Sequence, residues 1–340
     1  MRILLLPFSY LYLLITYIRN KLYDKGILKS TSFDTPVISV GNITTGGTGK
    51  TPLVIHIARY FLAKNMKVAI VSRGYGRNST FRMLVCDGKS ILHPVDMTGD
   101  ELYMISEELL TTGGTFWVIA DNDRVQGCEY TIKEFNPDVI ILDDAFQKRN
   151  LARDLDIAMI DRSKFNTFFN KILLPAGDLR ESKNALHRAS IIIQNNKDTK
   201  ADVIPELEKY CKPIIRISYK VLGIYDKNGV KAETLPKKVA VIAGLANPDS
   251  FYKLIQNLGF DIADKFDFPD HYSYIFKDIR HIKEMCEGGI PIITTHKDYV
   301  KLKEFDTFIK EFPVYYLKIG LNFEDNINIL ENMLNDAVNK

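Results

Sequence analysis

The feature that most constrains the fold is the run "PVISVGN", "ITTGGTGK" and "TPLVIHIARYFLAKN" between residues 36 and 65. A short β-type stretch, a glycine-rich turn and an apolar stretch of helical period follow one another, with Leu53, Ile57, Tyr60 and Phe61 on one helix face. This order makes a strand–turn–helix unit, in which the first N–H groups of the helix can cradle a phosphate. The Walker A pattern would place a glycine at position 44, where this chain has Thr44. Gly46, Gly47 and Gly49 still permit close backbone approach. Thr45, Gly46, Gly47, Thr48, Gly49, Lys50 and Thr51 therefore form the expected nucleotide cradle, with Lys50 at the terminal phosphates and Thr51 on Mg²⁺.

The rest of the chain repeats the unit. β-type runs at "KVAIVS", "FRMLVC", "TFWVIA", "DVIILDD", "LDIAMID" and "ASIIIQ" alternate in part with helical patterns. They predict an α/β fold of the P-loop NTPase type, a mostly parallel sheet with helices on both faces. Between Tyr219 and Lys237, an Asn-Gly turn at Asn228 and Gly229 reads as a β-hairpin linker. A second, smaller α/β set follows with "KVAVIAG", "PIITT" and "PVYYLKI". The expected division is an N-terminal membrane-interface helix over 1–25, a P-loop domain over 26–220, the linker over 221–237, and a C-terminal domain over 238–340 that contributes to the cleft.

Charge is unevenly placed. The chain carries +3, yet the first thirty residues hold Arg2, Arg19, Lys21, Lys25 and Lys29 against Asp24 alone, a net of +4, so everything after residue 30 sums to −1. That points to an anionic surface near the N-terminus and gives no support for nucleic-acid binding. The apolar run Ile3 to Ile18 is 16 residues long, about 24 Å as a helix, against roughly 30 Å of bilayer hydrocarbon. Its tyrosines and the cations behind it suit a helix lying in the membrane interface. No small-residue cleavage site follows it, which argues against a signal peptide. The four cysteines are widely spaced, with no C-x-x-C, and suggest neither a zinc site nor a disulfide framework.

The strand "VIILDD" ends in Asp143 and Asp144, where a Walker B acid would hold magnesium. With no "NKxD"-type guanine signature, ATP is the expected nucleotide. Two outputs remain open. Loops of the "KGGxGKT" type belong to membrane-associated switch ATPases, but Thr45 stands where their second lysine would be. A kinase needs a base for an acceptor hydroxyl, and "TGDE" and "FPDHYSY" offer Asp100 and His271. Asp100 could instead simply cap the helical run it opens, and a lone His271 in a Pro-containing loop could be structural. Facing one another across a cleft, the two would make a base assembly.

Taken together, "VGNITTGGTGKTP", "SRGYG", "GDE", "LDDAFQ", "LARDLDI", "LLPAGDLRE", "GLANP", "FPDHYSY" and "TTHKDYVKL" resemble, in order and over essentially the whole chain, the lipid A 4'-kinases, or tetraacyldisaccharide 4'-kinases. That family shares the departure at the first Walker glycine. The resemblance implies an enzyme on the cytoplasmic face of the Gram-negative inner membrane. It would transfer the γ-phosphate of ATP to the 4'-hydroxyl of an acylated glucosamine disaccharide 1-phosphate, giving lipid IVA. It implies Asp100 as base and His271 as its partner, Lys50 and Thr51 on phosphate and Mg²⁺, and Asp143 and Asp144 on the metal. Glu101, Arg124, Arg180 and Glu181 resemble further active-site positions. The chain departs from the family's "DDGFQH", "AGPLRE", "TTEKD" and "DHH" at Ala145 and Lys148, Asp178, His296 and Tyr272, which leaves His271 as the only histidine in the last element.

Overall fold

The computed structural model describes residues 2–197, 201–286 and 289–339. The expected segment ends at Met1 and Lys340, and positions 198–200 and 287–288, lie outside them. Among the described residues twelve strands form one sheet: β1 Val37–Asn42, β2 Val68–Ser72, β3 Met83–Cys86, β4 Phe116–Ala120, β5 Val139–Asp143, β6 Leu155–Asp161, β7 Ile191–Asn195, β8 Ile214–Tyr225, β9 Lys238–Gly244, β10 Asp261–Phe268, β11 Ile292–Thr295 and β12 Val314–Phe323. Their spatial order is β10-β9-β11-β12-β8-β7-β6-β1-β5-β2-β4-β3. All neighbours are parallel except β3 with β4 and β12 with β8.

Strand residues divide strictly by parity. Ile38, Val40, Val68 and Ile70 join one core beneath the helices Lys50–Leu62 and Asp100–Leu110, while Val37, Ala69 and Val71 join another on the opposite face, with Cys128 of the helix Arg124–Phe135. A sheet covered on both faces needs strands that are apolar throughout, which is why these runs read as continuous rather than alternating.

The two strand sets share this sheet through β8. Its first residues pair with β7, and Ile217 to Tyr225 pair antiparallel with β12. The segment expected as a linker is a hairpin only at its tip, where Gly229 N–H donates to Asp226 O (3.0 Å) and Tyr225 bridges Lys231. The last helix, Ile327–Val338, returns to the first half and buries Leu330, Leu334 and Ala337 in the core beneath β1 and β6. β10 was not expected from the sequence; it is an edge strand in which Asp261, Lys265 and Asp267 are exposed and only Phe266 is buried, as edges favour.

The N-terminal helix Leu6–Asp24 has its polarity reversed. Ser9 and Thr16 are its buried residues, whereas Phe8, Leu11, Leu14, Ile15 and Ile18 are exposed. Polar contacts dock it: Ser9 Oγ accepts from Ala176 N–H (3.0 Å), Tyr12 Oη donates to Arg180 O (3.0 Å), and Arg19 pairs with Glu181 (3.0 Å). With its first turn it runs from Arg2 to Asp24 and is long and apolar enough, by length and composition, to cross a membrane.

Candidate active site

β1 delivers the chain into the glycine turn between β5 and β6. Gly46 and Gly49 have φ of +87° and +92°, the left-handed region where a side chain is strained. A Cβ on Gly49 would also lie 2.4 Å from Tyr219 Oη and 2.6 Å from Asn195 Nδ2. Thr44 needs no such freedom. It is held extended in an antiparallel bridge with Leu179, flanked by Thr45 N–H to Asp178 O and Arg180 N–H to Ile43 O, both 2.8 Å. The segment Leu173–Arg180 thus does by backbone pairing what the first Walker glycine does by turning. Thr48 is turned inward, its Oγ1 accepting from Asn42 Nδ2 (3.0 Å) and its carbonyl from Asn195 Nδ2 (2.9 Å). Lys50 opens the helix and lies 3.3 Å from Asp144 Oδ1; Thr51 follows it, buried.

Asp143 ends β5 at 1% exposure; its Oδ2 accepts from Ser72 Oγ (3.0 Å) and its Oδ1 is buried without a donor. Burial, then the charges of Glu101 and Asp144, push its carboxyl up to about 7. Burial also works against ionised Asp144, but Lys50 and a two-oxygen contact from Arg180 Nη1 (2.9 and 2.8 Å) outweigh it and hold the carboxyl low. An orphaned buried acceptor among repelling carboxylates is the environment a divalent cation relieves. Among the described residues no cluster of three or more His, Cys, Asp or Glu side chains forms a ready metal cage. Mg²⁺ is held by one or two carboxylates together with substrate phosphates, the number that Asp143 and Asp144 offer.

Asp100 and His271 come together from the two halves of the sheet. Asp100 is the first residue of its helix, not the capping residue; that position is Gly99, whose Cβ would meet Tyr75 O at 2.9 Å. Its carboxylate is 5% exposed and lies 3.0 and 3.2 Å from His271 Nδ1. Lys297 Nζ lies 3.0 Å from the other ring nitrogen, Nε2, and 2.7 Å from Asp270 Oδ1. An ammonium has only donors, so Nε2 accepts, the ring proton sits on Nδ1, and Nδ1–H donates to Asp100. Burial pushes the Asp100 carboxyl up, but the His271 hydrogen bond and the charges of Lys297 and Lys301 outweigh it and keep it below its ordinary value. Asp100 is consequently an ionised acceptor held in place by the His271 imidazole. Glu101, next along, is pushed up by burial against the pull of Lys297 and Lys50, which links the pair electrostatically to the phosphate loop.

Of the remaining expected residues, Arg180 faces Asp144, while Arg124 and Glu181 lie behind the site. Arg124 is 2% exposed, donating to Asp121 O (2.6 Å) and Asp143 O (3.3 Å), and so ties β4 to β5. Glu181 is buried between Arg19, Asn20 and Arg188, fastening the N-terminal helix. Lys297 and Lys301 were missed as site residues, although "HKDYVKL" sets them one helical turn apart, which puts both on one face. The departures have local partners: His296 stacks on Tyr316 and meets Glu107 (3.3 Å), Tyr272 Oη donates to Asp278 (3.1 Å), and Asp178 pairs with Arg2 (3.2 Å).

Comparison with known proteins agrees over the full length. The family described as Tetraacyldisaccharide-1-P 4'-kinase, LpxK, matches residues 1–339. The tetraacyldisaccharide 4'-kinase of Chlorobium phaeobacteroides is 36% identical, covering 99% of this chain and 98% of that protein. Its counterpart from Chlorobaculum tepidum is 37% identical with the same coverage. The crystal structure of LpxK from Aquifex aeolicus in complex with ATP superposes with a TM-score of 0.82 at 31% identity, covering 99% of both chains. A glycine-rich turn between strand and helix, an Asp100–His271 contact that joins the two halves of the sheet, and matches end to end identify this chain as a member of the tetraacyldisaccharide 4'-kinase family.

Proposed function

We propose that this protein transfers the γ-phosphate of ATP to the 4'-hydroxyl of an acylated glucosamine disaccharide 1-phosphate, giving lipid IVA in lipid A biosynthesis. The observation that carries the reading is the Asp100–His271 contact at 3.0 Å beside the phosphate loop. A switch ATPase has no use for an ionised, buried acceptor positioned from the second half of the sheet. Lys50 and the N–H groups of the loop bind the phosphates. Asp100 takes the proton of the attacking hydroxyl, and the His271 Nδ1–H keeps its second lone pair aimed. Mg²⁺ held by Thr51, Asp143 and Asp144 would supply charge neutralisation at the β- and γ-oxygens.

The residues from 238 onward are proposed to act as the unit that presents His271 and Lys297 to the phosphate loop. The N-terminal helix is proposed to lie on the anionic cytoplasmic surface of the inner membrane as a monotopic anchor. Its inward polar face is spent on Ala176, Arg180 and Glu181, which leaves only the apolar face for lipid. The test is transfer of label from γ-labelled ATP to a tetraacyl disaccharide 1-phosphate. ATP hydrolysis indifferent to that lipid would sink the kinase and favour the switch.

A further inference from the structure

The short helix after β6, Arg162–Phe165, lies beside the glycine turn. β1 and β6 run parallel with Asn42 opposite Met159, so both chains leave the sheet at the same end, one into the turn and the other into that helix. Its frame is fixed. The Asp161 carboxylate accepts from Ser163 N–H (3.0 Å) and Oγ (2.6 Å), the Phe165 ring is buried, and Lys183 Nζ donates to Phe165 O (2.7 Å) while lying 3.6 Å from the ring centre. From that frame the Lys164 side chain reaches back over the loop. A Cβ on Gly46 would lie 3.1 Å from Lys164 Nζ, so the glycine also leaves room for the ammonium.

The cations around it are all occupied. Arg162 donates to Asp202 O, Lys183 to Phe165 O, Lys197 pairs with Asp161 at 2.7 Å, and Lys50 lies 3.3 Å from Asp144. Among the described residues, Lys164 alone of these has neither an acceptor nor an ion-pair partner for its ammonium. It is also the one laid on the turn. The N–H groups of that turn and of the helix behind it already carry partial positive charge, and a cation set against them is stabilised only by an anion between the two. Thr45, next to Gly46, stands where the switch ATPases of the "KGGxGKT" type carry their second lysine. Here a cation returns to that place from another element.

We propose that Lys164 is a second phosphate-binding residue of this enzyme, its ammonium donating across Gly46 to the γ-phosphoryl oxygens of ATP. This deepens the kinase reading above and rests on it. In the transfer, the bond from the γ-phosphorus to the bridging oxygen of ADP breaks as the bond to the acceptor oxygen forms, and the hydroxyl proton goes to Asp100. Lys164 keeps its protons throughout. Charge spreads over the equatorial oxygens of the group in flight, where a donor already in place lowers the barrier. Lys50 shares its charge with Asp144, which leaves that task to Lys164.

The test uses the full chain with Mg²⁺ and compares the binding of ATP with that of ADP. Lys164→Gln should weaken ATP binding by about tenfold, the scale of one charge-assisted hydrogen bond, and leave ADP binding and the nucleotide-free Tm unchanged. Its kcat with the lipid acceptor should fall by about 10²-fold. Lys164→Arg, which keeps the charge and a donor, should recover most of both. Lys171→Gln, an exposed change further along the same segment, should move neither. Equal losses for ATP and ADP, no loss for either, or the same loss in Lys171→Gln overturn the proposal. The binding arm needs no acceptor, so a wild type that transfers nothing to the lipid while the loss stays confined to ATP would remove the kinase reading and keep Lys164 at the γ-phosphate. A wild type that does transfer phosphate, matched by Lys164→Gln in ATP binding and turnover, would remove Lys164 alone.

Discussion

The phosphate loop and the His271 loop face each other across the cleft, and they are fixed in different ways. The first is held by backbone: Thr44 bridges Leu179, and on either side the Thr45 and Arg180 N–H groups donate to Asp178 O and Ile43 O. The second is held by charge. His271, itself at φ +60°, sits between Asp100 and Lys297, and Glu107 and Glu108 of the helix behind it pair with His296, with Lys303 and with Lys318 of β12. Backbone pairing is insensitive to pH and to single side chains, whereas an ion-paired contact depends on both. The phosphate side should therefore tolerate substitution in its surroundings, and the base side should not.

The largest effect is expected at Asp100. Asp100→Asn keeps the shape and its place in the helix but removes the acceptor for the hydroxyl proton, so kcat should fall by about 10² to 10⁴-fold with KM for ATP nearly unchanged. Near-normal turnover would leave the two sides with no division of labour. A smaller effect, about tenfold, is expected for Lys297→Met, because the imidazole loses the donor that fixes its tautomer. The sign of its pH effect is set by burial, which pushes the Asp100 carboxyl up once a compensating cation is gone. The acid limb of kcat/KM should move to higher pH, and Lys297→Arg should restore most of it. An unmoved limb would mean that Lys297 is only packing.

The N-terminal helix sharpens the contrast from outside the cleft. Replacing Leu11 and Ile15, 55% and 56% exposed, by Ser should weaken binding to anionic vesicles by roughly tenfold per side chain while Tm stays put. Deleting the helix is a poorer test, since it strips Glu181 of Arg19 and Asn20. Unchanged vesicle binding would contradict the anchor. The smallest effect concerns the ion pairs between the halves. Burial raises the Glu108 carboxyl, but Lys318, His296 and Arg59 outweigh it, so its contribution to stability is present above the unfolded carboxylate pKa and lost as pH falls through the lower folded value. Glu108→Gln should thus lower Tm at about pH 7, and the gap to the wild type should close in acid.

These differences also explain what the sequence could tell. The phosphate half was legible because its chemistry is local: strand, glycine turn and helix are consecutive, and Asp143 closes an apolar run of the right length. The charged edge strand β10 was hidden because "DIADKFDF" buries little. The length of β8 was hidden because its partner β12 lies about a hundred residues away, while the nearby Asn-Gly turn suggested a simple hairpin. In the site, Asp100 and His271 were visible as candidates, but their contact joins positions 171 apart and depends on the sheet. Lys297 was visible only as part of "TTHKDYVKL" and through its helical spacing from Lys301. Glu181 and Arg124, which the motifs suggested as active-site residues, hold the surrounding elements in place through contacts that no local pattern announces.

The central claim, that a carboxylate from one half and an imidazole from the other act as one base, is tested most directly by a double-mutant cycle. Turnover of Asp100→Asn, His271→Ala and the double variant should be measured with saturating ATP and the lipid acceptor. Groups acting as a unit are lost together, so the double variant should be barely slower than Asp100→Asn alone. Losses that multiply would show two independent contributions and contradict the shared base.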